Sequence, residues 1–488
     1  MNPWEHQAIN DTVRFLARAA GSLGIERFYV NPPPGLAGLR ESLRAAFDGK
    51  PVPARAERST GESAEKSTGN SCDTGTGGSC GAGGFCDTGG SCDTGGSCGP
   101  GISHISRVFR VFRVSHGFSI AWQQKHKDGI TVLTPPWGFA PVALGLRDLA
   151  NRVAARQFSR LLARHFGPAW RNEVLVYISS WSYTLTAFIE ELAPKHLVFH
   201  ILDDTLAFPD IGNCPRVRAE NERFLKQLMR QSSAVIAVSE VLAEKYGRLF
   251  ARKIDAVVKN GVDAAHFVPL KNKDRAGQAL PGKPLQSKAS PGELLPPDLA
   301  AIPGPRLMYT GSINSWVDLD LLRFIAEELP ECSLVIIGHC YENSIDTRKW
   351  EALLAKPNVH WLGSRPYSEV PRYLHGAAVL LLPRTAAPHS QASDPLKLYE
   401  YLATGKPVVS ADLPALEEFR SLVYVAPEPA AWPAKIKKAL ATHSADRAGQ
   451  QIAAVQEHSW EARIKQIMEL AERASRKHPS PCTHDQKL

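Results

Sequence analysis

Between Ser393 and Asp412 the chain runs Ser-Asp-Pro-Leu-Lys-Leu-Tyr-Glu-Tyr-Leu-Ala-Thr-Gly-Lys-Pro-Val-Val-Ser-Ala-Asp. Lys397 and Glu400 stand three apart, one turn of a helix, and so share a face. A lysine beside the free N–H groups of a helix N-terminus suits an anion such as a diphosphate. Glu400, one turn deeper, can accept hydrogen bonds from a pair of sugar hydroxyls. The flanking residues frame the helix: Ser393 or Asp394 as cap and Pro395 at the first helical position. Leu396, Tyr399, Leu402 and Ala403 recur at helical spacing and predict one buried face. Gly405 ends the helix, Pro407 prevents its continuation, and Val408-Val409-Ser410 starts a buried strand. The plainer alternative is a surface helix with a solvated Lys–Glu pair, worth only a few tenths of a kcal/mol.

A second pair of candidates is Asp203 and Asp204, which follow the apolar run Leu197–Leu202. A carboxylate at a strand end can take a proton from an incoming hydroxyl or steady an oxocarbenium-like charge. The competing role is a helix cap with one carboxylate solvated. His200, inside the run, reads as a packed core histidine. Five of the nine cysteines (Cys72, Cys80, Cys86, Cys92 and Cys98) lie in one glycine-rich run built from Cys-Asp-Thr-Gly-Gly-Ser repeats. Their spacing is not that of paired zinc ligands, so the run reads as a repeat expansion.

The elements that must hold these residues alternate regularly. Phe28–Asn31 reads as a short strand, Arg107–Val114 as a half-buried strand, Gly129–Thr134 as a buried strand and Leu146–Phe166 as a long helix. Then come strand Val174–Ile178, a helix from Trp181, strand Leu197–Leu202, a helix from Arg216, strand Ala234–Val238, a helix from Ser239 and strand Ala256–Lys259. Such alternation predicts a parallel sheet covered on both faces. A second series starts at Arg306–Gly311 and continues with a helix from Trp316 through Leu329. Strands follow at Leu334–Gly338, Asn358–Gly363, Val379–Leu382, Val408 onward and Leu422–Val425. We therefore expect two α/β domains: residues 1–270, with a disordered Gly/Cys-rich insertion over 53–101, and residues 306–488, joined by a Pro/Gly/Lys/Ser-rich linker over 271–305. The glycines at strand ends, Gly311, Gly338 and Gly363, would let a ligand approach the backbone closely.

Four segments in this order resemble the GT-B glycosyltransferases. They are Asp203-Asp204-x-x-x-Phe208, Val238-Ser239-Glu240, Asn260-Gly261-Val262-Asp263-x-x-x-Phe267, and Asp394-Pro395-x-Lys397-x-x-Glu400-Tyr401-Leu402-Ala403. The resemblance covers about residues 129–270 and 306–470. It is nearest to bacterial enzymes of the large retaining, group 1-like family that assemble cell-surface polysaccharides. It implies a GT-B fold of two doubly wound, Rossmann-like parallel-sheet domains facing a cleft, with His458-Ser459-Trp460 where the last helices cross back. It further implies a nucleotide-diphosphate sugar as co-substrate, no metal or other cofactor, and a glycan or lipid-linked acceptor. The donor would be held by Gly311, Ser312, Arg365, Arg384, Asp394, Lys397 and Glu400, with Glu400 on the ribose and Ser364–Tyr367 beside the base. Asp204, with Asp203 beside it, would act on the acceptor side. One departure stands out: relatives carry a basic residue where this chain reads Ser312-Ile-Asn-Ser-Trp-Val-Asp318, so leaving-group stabilisation would rest on Lys397 and Arg384. The resemblance also admits a nucleotide-sugar epimerase or a non-catalytic glycan-binding relative.

The totals set the outer limits. The 488 residues suffice for two full cores, and 22% charged with 43% hydrophobic residues is ordinary for a globular protein. A net charge of +8 is too modest to suggest a nucleic-acid partner but permits attraction to an anionic surface. Arg147, Arg152, Arg156, Arg160 and Arg164 form one basic helix face, a candidate contact for anionic lipid if it is not simply solvated. With no apolar run of membrane-spanning length and no signal-peptide pattern, the sequence predicts a cytoplasmic protein, peripheral at the inner membrane face at most.

Overall fold

The computed structural model describes residues 147–179, 186–268 and 295–477, short pieces at 28–30, 123–127 and 130–134, and Leu16, Ala20 and Leu23. Two compact units partition the chain, 1–35 with 105–488 and 36–104, and none of the second is among the described residues. The expected insertion over 53–101 and the strand expected at Arg107–Val114 therefore lie outside them.

A small three-stranded sheet comes first. Its strands β1 (Phe28–Val30) and β3 (Ile130–Thr134) are parallel, and β2 (Gln123–Lys127) joins β3 antiparallel. The sequence reading missed β2, whose Gln-Gln-Lys-His-Lys composition carries no apolar alternation. The first α/β sheet is wholly parallel, in the order β4 (Leu175–Ile178), β5 (His196–Ile201), β6 (Ala234–Ala237), β7 (Ala256–Val257). Strand β6 is apolar throughout and β5 is apolar but for His196 and His200; both are almost wholly buried, as strands covered on both faces must be.

The second sheet is parallel and six-stranded. Its members are β8 (Arg306–Thr310), β9 (Ser333–Ile337), β10 (Val359–Trp361), β11 (Val379–Leu382), β12 (Val408–Ala411) and β13 (Tyr424–Ala426). They lie in the order β10-β9-β8-β11-β12-β13. The first three strands build outward from β8 in one direction and the last three in the other, so β8 and β11 flank the topological switch point. In such sheets the crevice at that point, beyond the carboxyl ends of the strands, is where ligands bind. Alternate residues feed two cores: Leu307, Tyr309, Leu334, Ile336 and Leu381 on one face, Met308, Val335, Ile337, Leu380 and Leu382 on the other.

The two sheets are tied together by chain that crosses between them. The last helix, Trp460–Lys477, packs Trp460, Ile467 and Ala471 against Val198, Ala234 and Ile236 of the first sheet. In the opposite direction Phe267, fully buried, joins the second core beside Met308 and Leu374. Part of the stretch expected as linker is also core: Leu299 and Ile302 are buried there. The helix expected from Trp316 starts at Leu319, because the Asp318 carboxylate accepts from Leu321 N and caps it there.

Candidate functional site

The glycines at the ends of β8 and β9 set the floor of the switch-point crevice. Gly311 has φ +140° and Gly338 φ +149°, values that L side chains rarely adopt. A Cβ on Gly338 would stand 1.8 Å from the Gly311 carbonyl oxygen, and one on Gly311 would stand 3.0 Å from Lys397 Cε. The two loops thus touch backbone to backbone, with the Lys397 side chain lying across them. Gly363, at φ +71°, closes the row through its carbonyl, which accepts from Gly338 N at 2.9 Å.

The helix Leu396–Thr404 delivers the charged pair. Every residue from Leu398 through Thr404 is buried, so the helix has no solvated face and the plainer alternative does not hold. Lys397 Nζ lies 3.1 Å from Glu400 Oε2, with the glutamate side chain only 4% exposed. A carboxylate so withdrawn from water needs fixed charge or hydrogen bonds, and the lysine supplies the charge. Pro395 sits at the N-cap position, without a side-chain cap, and Gly405 ends the helix at φ +69°. The expected capping by Ser393 or Asp394 is thereby corrected: both side chains are engaged elsewhere.

Arg384 follows β11, on the other side of the switch point. Its guanidinium donates to Ser393 Oγ and lies over the Trp316 ring, 5.6 Å from its centroid. Burial lowers its pKa, opposed by Tyr309 and by Asp203 of the first sheet, and its Nε is buried without a hydrogen-bond partner. Arg384 and Lys397 both act on Tyr309, whose hydroxyl donates to the Ser312 carbonyl at 2.9 Å. Gly311, Ser312, Arg384, Lys397 and Glu400 therefore gather around one loop.

Across the crevice the two aspartates part company. Asp204 is buried; Lys245 Nζ donates to its Oδ2 at 2.6 Å, and Tyr246 Oη lies 3.4 Å from Oδ1. Asp203 is exposed, yet the surrounding protein raises its pKa by desolvation, with Arg384 opposing and Asp204 reinforcing. The geometry makes Asp204 an anchor and leaves Asp203 as the carboxylate open to a ligand, the reverse of the expected order. His389, which sequence reasoning passed over, belongs here too. Its ring is 5.7 Å from Phe208 and its Nε2 is 3.5 Å from Ser315 Oγ. Burial and Arg384 hold its pKa low, while Asp204 acts in the opposite direction. It sits in a four-residue helix, Pro388–Gln391, with no periodicity or motif to mark it.

Two expected donor ligands are not in this group. Arg365 is spent on Asp298 Oδ2 at 2.6 Å, the Tyr373 hydroxyl at 2.7 Å and the Ser364 carbonyl at 2.9 Å. Asp394 lies in the joint between the sheets: its Oδ2 accepts from Asn260 N at 2.6 Å, and Tyr399 Oη donates to Oδ1 at 2.9 Å. Burial pushes its carboxyl up to about 6, against the pull of Asn260, Tyr399, Lys259 and Arg463. Tyr367, expected beside a base, instead stacks on His266, with ring centroids 4.8 Å apart. His200 is buried with Nδ1 2.8 Å from the Tyr177 hydroxyl, and burial holds it neutral.

Comparison with known proteins agrees with this architecture. Residues 304–442 match the family described as glycosyl transferases group 1. Over 114 residues the chain is 32% identical to the TuaH glycosyltransferase of Bacillus subtilis, named for teichuronic acid biosynthesis; the match spans 23% of this chain and 28% of that protein. Among solved structures, HepE of Anabaena in complex with UDP superposes with a TM-score of 0.50 at 17% identity, over 70% of this chain and 86% of that one. A UDP-forming alpha,alpha-trehalose-phosphate synthase of Burkholderia xenovorans does so with a TM-score of 0.52 at 11% identity, over 73% and 90%. A glycosyl transferases group 1 match at 304–442 and two Rossmann-like parallel-sheet regions together give the chain a GT-B architecture.

Proposed function

We propose that the chain transfers a sugar from a nucleoside-diphosphate donor to a glycan or lipid-linked acceptor in the building of a cell-surface polysaccharide. The observation that carries this reading is the convergence of Gly311, Gly338, Lys397 and Glu400 at the switch point of the second sheet. The Gly311 backbone lets a diphosphate approach, Lys397 and Arg384 stabilise the charge that grows on it as the sugar leaves, and Glu400 orients the ribose. Asp203 faces them from the other sheet, and its raised pKa suits a group that takes the acceptor proton. Protein cations take the role that a metal would otherwise fill. UDP and UDP-glucose in the HepE complexes support the donor class, and the name of TuaH supports the polymer context.

Incubation with UDP-glucose and related UDP-sugars, with and without glycan acceptors, tests the reading by NMR. Release of UDP with a new glycosidic bond supports it. Appearance of an epimeric donor without acceptor would replace it with an epimerase.

A further inference from the structure

The amino end of the second sheet carries a second cavity, away from the crevice just described. It measures about 480 Å³ and is lined by Arg420, Tyr424, Lys435, Lys438, Thr442 and Arg447, with two valines. That volume lies in the range of small-molecule sites. Tyr424 opens β13, the edge strand. The strands are parallel, so this cavity and Gly311 sit at opposite ends of the sheet.

Four of the lining side chains are cationic and none is a carboxylate. Lys435, Lys438 and Thr442 lie along one face of the helix Trp432–Thr442 at i, i+3 and i+7. Arg447 stands in the first turn of the helix Ala445–Gln456, whose dipole adds positive potential at that end. Its guanidinium is held 4.6 Å from the centroid of the Tyr424 ring, and its Nε is buried without a hydrogen-bond partner. The Tyr424 hydroxyl pairs with Thr442 Oγ1 at 3.1 Å. Among the described residues, Arg420 alone of the four has ion-pair partners, Asp412 and Glu417.

More positive charge stands behind this wall. Burial lowers the pKa of Lys406, and His443 is lowered by burial, with Arg447 and Lys406 adding to it. His443 Nε2 donates to the Gly405 carbonyl at 2.9 Å, leaving Nδ1 buried without a partner. A fold gains nothing in stability from gathering Lys406, Lys435, Lys438 and Arg447 around a buried, unpaired donor, Arg447 Nε. A bound anion removes that conflict.

We propose that this cavity binds a phosphate-bearing anion of about diphosphate size, at a site separate from the switch-point crevice. Arg447 Nε, Lys435 and Lys438 supply charge-assisted donors, and the aromatic platform holds Arg447 in place for them. The same chemistry is offered by a soluble phosphate ester and by a phospholipid headgroup. The proposal does not rest on the sugar-transfer reading.

The test uses the full chain carrying Lys397→Ala, which weakens anion binding in the crevice. Pyrophosphate is titrated by calorimetry, and sedimentation with phosphatidylglycerol vesicles is measured beside it. Adding Lys435→Gln and Lys438→Gln, both on the helix rim, should weaken the bound probe roughly tenfold or more, with an unchanged melting temperature. Loss of pyrophosphate binding supports a soluble ligand, and loss of vesicle binding alone supports a headgroup. If neither probe binds, or the added substitutions change neither, the cavity is not an anion site.

Discussion

At the crevice, single residues divide into those that allow a ligand in and those that hold the fold. Gly338 is the extreme case, because any side chain there would overlap the Gly311 carbonyl at 1.8 Å. Gly338→Ala should cost more than about 4 kcal/mol, the range reserved for gross clashes, and thermal unfolding would show little folded protein. Gly363→Ala meets only open space beyond 4.0 Å and should cost just the left-handed backbone penalty, about 1–2 kcal/mol. Equal losses from the two would refute the close approach of the loops. The aspartates separate in the same way. Asp204→Asn weakens the contact between a buried carboxylate and the half-buried Lys245 and should lower stability by about 2–3 kcal/mol. Asp203→Asn should leave the melting temperature in place and reduce turnover. A drop in stability for Asp203→Asn and none for Asp204→Asn would reverse the assignment. The sequence places both carboxylates at a strand end but does not tell them apart, since what separates them is Lys245, 41 residues away on another helix.

At the scale of elements, the periodic features were legible and the contacts between elements were not. Apolar runs marked the cores of both sheets, and Gly405 with Pro407 marked the end of the helix Leu396–Thr404. Its wording also carried Lys397 and Glu400. Helical spacing alone underestimated its burial, because the helix is enclosed on every side by elements that no local pattern announces. Asp394 shows the cost of that gap. Three residues before Lys397 it reads as a cap, yet it holds the backbone of Asn260, 134 positions earlier. Around the same joint, Arg463 donates to the Asn260 carbonyl and to His458, and His458 pairs with Glu418. The raised pKa of Asp394 makes the joint sensitive to pH. Between about pH 4 and 6 the unfolded chain has lost this proton while the folded chain keeps it. This residue's contribution to stability therefore falls as pH rises through that window and is level above it. A shift of about two units corresponds to about 3 kcal/mol. Asp394→Asn removes the titration, so urea unfolding should show the variant gaining about 2–3 kcal/mol on the wild type from pH 4 to pH 7. A constant difference across that range would show that Asp394 does not titrate with folding.

For the whole molecule, two parallel sheets are bound by reciprocal insertions: Phe267 in the second core, and the last helix on the first sheet. Alternation of strands and helices was enough to foresee the sheets, whereas the strand order that creates the switch point is a long-range property. The surface also differs from its sequence reading. Of the arginines on the helix Arg147–Phe166, Arg152 and Arg156 pair with Glu190 and Glu191, which leaves Arg160 and Arg164 exposed. No described helix is long and apolar enough to cross a membrane. If the acceptor is lipid-linked, Arg160→Glu with Arg164→Glu should reduce low-salt sedimentation with anionic vesicles, at about 1 kcal/mol per charge near the surface. Unchanged sedimentation would make this face a solvated one.

In the proposed function, the crevice between β8 and β11 binds a nucleoside diphosphate through Lys397 and Glu400. Calorimetric titration of UDP into the wild type, Lys397→Ala and Glu400→Gln tests it most directly. Saturable binding to the wild type is expected. Each variant should lose about 1.5–3 kcal/mol of binding free energy, as charge-assisted hydrogen bonds to the ligand are removed. UDP binding of equal strength in all three proteins would contradict it.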